Sequence, residues 1–397
     1  MNKILGLLAV AMLPALGFAG EKADKDTVFV FKDLKVNETT SVKDQNRSGT
    51  CWSFSGISFF EDELLKNDKG EFDLSEMFVV RQCYIDKAIN FVRYYGKTNF
   101  GEGGGLLDLP YVYDKYGMIP ESVYNGLNYG EPKHNHGELA AVLTAYLNEI
   151  VKNPNKKLSP AWLKGYVGIL DAYLGAVPET FEYEGKTFTP KSFAEYLGLK
   201  MEDYLPITSY THHDFYKPFV LEVPDNWDHG LYYNVPMQEM KAIVDKAIED
   251  GYTILWAADV SEKGFKWYDG VALMPKVDQN VQKEGTELDR WVKLKSSERE
   301  EEMYGFTGPV EEIVVTQESR QEGFDNYETT DDHGMVIVGK AEDQKGNKYY
   351  KVKNSWDSDQ IYKGYFYVSE TYFLAKTMSI LVNKKSVPTE ILNKLGM

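Results

Sequence analysis

From residue 51 onward, apolar side chains return every three or four positions: Phe54, Ile57, Phe60 and Leu64. That spacing predicts a helix with Cys51 in its first turn. A second stripe, Leu139, Val142, Leu143, Tyr146, Leu147 and Ile150, predicts another. Ser159-Pro160 and Thr189-Pro190 each read as a helix start, with a hydroxyl cap followed by proline in the first turn. Residues 236–250 read as a helix stopped by Gly251, followed at once by a buried strand over 252–256. Residues 27–31, 335–338, 349–353 and 364–368 are apolar and β-branched enough for strands, and residues 343–347 supply a turn. The aromatic run over 210–233 has no period and reads as packed loop.

Helices dominate early and strands late, with a helical stretch between, so the pattern predicts an α+β fold of two lobes carrying a large, mostly helical insertion. The units are residues 20–124, an N-terminal arm and helical lobe; 125–235, the insertion; 236–385, a β-rich lobe; and 386–397, a tail. Apolar residues are 43% of 397, enough for a sizeable core.

Residues 1–19 read as a cleaved export signal. Lys3 is followed by a short apolar run broken by Pro14, and Gly17-Phe18-Ala19 supplies small residues for cleavage. The expected compartment is the bacterial periplasm, with the extracellular space as the alternative, and no membrane span is expected in the mature chain. A net charge of −17 disfavours nucleic acid as a partner. Of the two cysteines, Cys83 lies in an apolar run typical of a buried thiol. His134-Asn135-His136 and His212-His213-Asp214 lack a third His or a Cys at suitable spacing. They read as surface-loop histidines, and neither metal nor cofactor is expected.

Three distant segments carry the chemistry: Gln45 through Phe54, Thr329 through Met335, and Lys353-Asn354-Ser355-Trp356. A thiol attacking an amide needs a base, and an imidazole with an ordinary pKa of about 6.5 suits neutral pH. The imidazole needs an acceptor to fix its tautomer, which an Asn carbonyl supplies. The oxyanion needs donors, here the Cys51 backbone N–H and the Gln45 side-chain amide; losing one such donor costs about 2.7–4 kcal/mol. The reading is Cys51 as nucleophile, His333 as base, Asn354 as orienter. A transglutaminase-like or cell-wall amidase scaffold and a non-catalytic peptide-binding protein are the alternatives. The intact Cys51, His333 and Asn354 argue against the last.

These segments resemble the bleomycin hydrolase and aminopeptidase C group of papain-like cysteine peptidases. The likeness extends through Glu182-Tyr183, Thr189 to Phe193, Ile207 to Tyr216, Gly251 to Val260, and Arg320 to Asn326. It implies a papain-like fold and an aminopeptidase acting on peptides with a free N-terminus, with a papain-like endopeptidase as the alternative. It implies that Gly104 and Gly105 line the cleft, that Trp356 shields the His333–Asn354 bond, and that the tail ending at Met397 enters the cleft, its carboxylate meeting the substrate's amino group. It also implies a homo-hexamer. Thr50 and Asp357 depart from the group, which often has a basic residue before the Cys and a Gly after Asn-Ser-Trp.

Overall fold

The computed structural model describes residues 28–276 and 304–397. The export signal and the charged run over 298–302 lie outside the described residues; the strand expected over 27–31 forms instead at Lys32–Val36, where the chain pairs with the strand that His333 opens. Among those described, the main sheet has eleven strands. From one edge they run Pro218–Val220, Leu231–Asn234, Tyr204–Thr208, Thr377–Asn383, Ile254–Ala258, His333–Glu342, Lys348–Lys353, Tyr365–Ser369, Val271–Ala272 and Phe265–Lys266. The eleventh, Lys32–Val36, pairs with the far half of His333–Glu342.

The helix Cys51–Lys66 lies against this sheet and is buried on every side, not on one stripe. Helices Glu76–Arg93 and Asp108–Tyr116 cover the faces that the sheet does not. Its acidic residues are buried with partners: Glu61 takes Lys43 and the Leu74 N–H, Asp62 takes Thr39 and Thr40, and Glu63 takes Asn383.

The central strands alternate sides. Leu255, Ala257, Val336 and Val338 face the helical lobe. Ile254, Trp256, Met335 and Ile337 face a second core built on the helix Met237–Glu249. A period of two with both faces apolar is what a doubly covered sheet requires.

The insertion departs from its expected boundary at 235. Helices Gly137–Lys152, Ala161–Leu174 and Pro190–Leu197 are present, the last with the Thr189 cap accepting from the Ser192 N–H. Three strands from residues 204–234 then join the main sheet, two of them inside the stretch read as loop. Strands of three and four residues are too short to display a period.

The tail also departs. Helix Thr389–Leu395 lays Ile391, Leu392 and Leu395 on the second core, and Lys394 reaches Glu239. Its apolar stripe holds it there, and Met397 ends the chain 43% exposed.

Candidate active site

Cys51 is the first residue of its helix, where backbone N–H groups are unpaired. The sulfur takes the N–H of Gly334 and of Trp52. His333 opens a central strand, and Asn354 follows the end of the next strand, Lys348–Lys353. Antiparallel pairing of Val336 with Lys353 therefore brings the two side chains together. His333 Nε2 lies 2.7 Å from Asn354 Oδ1. Since a carbonyl only accepts, Nε2 carries the hydrogen and Nδ1 keeps the lone pair a base needs. Trp356 covers the imidazole at 4.5 Å between ring centroids.

One partly open cavity is walled by Cys51, His333, Gly104, Gly105, Asp225 and Asp331, with others. Cys51, His333, Gly104 and Gly105 meet there as the sequence predicts, whereas no sequence signal assigns Asp225 or Asp331 to it. No direct thiol–imidazole hydrogen bond is formed among the described residues, a gap that substrate binding commonly closes.

Burial pushes the Cys51 thiol up to about 12; the Gly334 N–H pulls it down, and Asp331 and Asp225 push it further up. Burial pulls His333 down to about 4, against the Asn354 bond and the Asp332 charge. Burial thus opposes charge on the thiol and on the imidazole alike, against the helix start and the Asn354 bond, which favour the ionised pair.

Burial also pushes Asp331 up to about 7, helped by Asp225 and Asp332. A negative charge beside the sulfur opposes thiolate formation, so removing it favours the thiolate only where it was charged. Asp331→Asn is expected to speed iodoacetamide labelling of Cys51 several-fold above about pH 8 and hardly at all at about pH 5. An equal effect at both pH values would exclude this coupling.

Gln45 stands outside the cavity walls. Its Nε2 donates to the Ser48 carbonyl at 2.7 Å and its Oε1 accepts from Ser355 at 2.7 Å, which fixes the amide and leaves one N–H unused. Met397 does not reach the cavity either, because its helix is committed to the second core. Within one chain the tail therefore lies away from this cavity.

Gly104 has a steric reason to be glycine: a Cβ there would sit 2.8 Å from the Trp52 indole and overlap the Asp108 carboxylate. A Cβ at Gly103 would overlap the Asp225 carboxylate. Glu102 ties this segment to the nucleophile, its carboxylate accepting the Gly49 N–H at 2.6 Å and its carbonyl the Trp52 indole N–H at 3.0 Å. Nothing in the sequence marks that link.

His134 and His136 are buried, the latter completely, instead of sitting on a surface loop. Pairing of Arg47 with Asn135 and packing against Phe54 draw the segment inward. Asp357 sits at φ 107°, the left-handed region that explains why glycine is common there.

The Peptidase C1-like family profile matches residues 15–299 and 284–397. The chain belongs to this family. Among curated members, it is 25% identical over 393 residues to Aminopeptidase C of Lactococcus lactis subsp. cremoris, covering 88% of this chain and 82% of that protein. It is 25% identical over 413 residues to Bleomycin hydrolase of Rattus norvegicus, covering 91% and 84%. Among solved structures, PepW of Lactobacillus rhamnosis HN001 superposes with a TM-score of 0.69 at 20% identity, covering 92% of this chain and 84% of that one. The Peptidase C1-like fold is thus present nearly end to end, and the papain-like α+β reading of the sequence holds.

Proposed function

We propose that the protein is a cysteine aminopeptidase that removes single residues from the free N-terminus of peptides. The Cys51 sulfur attacks the carbonyl of the first residue and its proton passes to His333 Nδ1. The Cys51 N–H donates to the oxyanion, with the Gln45 amide as the second donor that the family resemblance implies, while Asn354 and Trp356 hold the imidazole. His333 then protonates the departing amine, leaving a thioester. Water, losing a proton to His333, cleaves the thioester and restores the thiol. Relatives named Aminopeptidase C support this reading.

The observation that carries the exopeptidase part is the strap over residues 221–230. It lies across the Gly103–Gly105 segment, where a longer peptide would pair its backbone. Trp227 donates to Asp108 at 2.8 Å, Asn90 to the Trp227 carbonyl at 2.9 Å, and Asn99 to Asp225 at 3.0 Å. The strap thereby puts the Asp225 carboxylate in the cavity wall with Asp331. An α-ammonium group fits these two carboxylates: Asp225 takes the Asn99 amide and feels the Lys87 charge, and Asp331 feels the like charges of Asp225 and Asp332. The strap takes the part that the family resemblance gives to the tail.

The test compares an aminoacyl fluorogenic amide with its N-acetylated analogue. The free amine is expected to have a kcat/KM roughly 100-fold higher, the loss expected when a desolvated charge pair is removed. Asp225→Asn and Asp331→Asn are each expected to narrow that ratio. Equal hydrolysis of both substrates would leave a peptidase with endopeptidase character. Export to the periplasm and assembly as a homo-hexamer are further proposals, resting on the leader and on the family resemblance.

A further inference from the structure

His212 and His213 lie in the loop before the strand Pro218–Val220, and Glu222 lies just beyond that strand. The turn between folds them onto one another. His212 Nε2 is 3.0 Å from one Glu222 oxygen and His213 Nε2 is 2.9 Å from the other. One ligand atom from each of the three residues lies within 4.8 Å of the others.

The rings are also held in place. His212 stacks on Phe324 at 5.5 Å and 13°, and His213 on Phe219 at 4.3 Å and 25°. Gln321 meets His212 Nδ1, and its own amide is oriented by the Thr211 N–H and by Asp325. An outer partner on the far ring nitrogen, stacked rings and converging Nε2 atoms together form the support that metal-binding histidines need. The two-residue histidine motif in the sequence lacked only its third ligand, and the fold brings it from nine positions downstream of His213.

We propose that His212, His213 and Glu222 form a site for a divalent transition-metal ion of the Zn2+ class, with water completing a four-coordinate shell. Two imidazoles and one carboxylate with an open position suit zinc. The site has a structural consequence. Glu222 sits between Leu221 and Val223, both in the wall of the Cys51 cavity. A bound ion clamps this first part of the strap to the loop that carries His212 and His213, which steadies the cavity wall without touching the reacting atoms.

The test is calorimetric titration of ZnCl2 into the full chain carrying Cys51→Ala, which removes the catalytic thiol as a competing ligand. One ion per chain is expected to bind with micromolar affinity. His213→Ala and, separately, Glu222→Gln in that background are expected to weaken it by at least about 10-fold. Zinc is also expected to slow hydrogen exchange over residues 221–225, and that protection is expected to vanish in both variants. Glu222→Gln preserves shape and keeps one acceptor oxygen, so it reads ligation even where the His213 variant folds poorly. Absence of binding, or binding unchanged by Glu222→Gln, would overturn the proposal whatever the peptidase assays give.

Discussion

Cys51→Ala is expected to lower kcat on an aminoacyl amide by on the order of 10^6, leaving substrate affinity within a few-fold of the parent. The size of the loss follows from covalent catalysis. Without the sulfur there is no thioester, and what remains is orientation and oxyanion stabilisation of a direct attack by water. Removing His333 alone is expected to cost a similar factor, because nucleophile and base act as one unit. The measurement is steady-state hydrolysis with active-site titration by a thiol-directed peptide inhibitor. Cys83 is fully buried, so labelling reports Cys51 alone. Appreciable turnover by the Cys51→Ala protein would remove the covalent mechanism altogether.

Arg320→Met is expected to destabilise the fold by about 3–5 kcal/mol. Arg320 is 2% exposed and stands 4.7 Å over the Tyr210 ring. Its guanidinium donates to the carbonyls of Ser209 at 2.9 Å, Leu374 at 3.0 Å and Thr377. These carbonyls terminate the strand Tyr204–Thr208, lie near the end of the helix Glu370–Lys376 and begin the strand Thr377–Asn383. Among the described residues no carboxylate pairs with it, so the cation is held by carbonyl dipoles and ring face, and burial pulls its pKa down. Methionine keeps much of the stem's packing but removes the main donors to three carbonyls, leaving Ser209 with a 3.4 Å contact from Gln317 and Thr377 with a 3.5 Å contact from Tyr210; an acceptor left unpaired costs about 1–3 kcal/mol. Loss of the buried charge offsets part of that. Denaturant unfolding measures the balance, and a change below about 1 kcal/mol would mean the offset is complete. Met378 and Ser379 adjoin Thr377 and line the Cys51 cavity, so kcat/KM is expected to fall as well.

The sequence was legible where chemistry or periodicity is local. The helix opening at Cys51, the strands that carry His333 and precede Asn354, the Thr189 cap and the turn over 343–347 all follow from neighbours within a few residues. Gln45, Cys51, His333 and Asn354 were recognisable because residue types with complementary roles stood in distinctive contexts. Asp225, Asp331, Glu102 and Glu222 were not, since an isolated carboxylate looks alike whether it faces solvent or a buried sulfur. The tail misled for a related reason. Ile391, Leu392 and Leu395 were visible as apolar residues, but which core would take them was not.

By itself the sequence determined the reacting groups and the elements that carry them, because helix periodicity, strand alternation and the acid–base needs of a thiol are written in residue identity and spacing. Only the tertiary structure decided the electrostatics and the shape of the cavity. Those depend on which distant segments share one cavity: the strap placing Asp225 over Gly103, and Asp331 beside Cys51, set the charge there through distance and burial, which no linear spacing encodes.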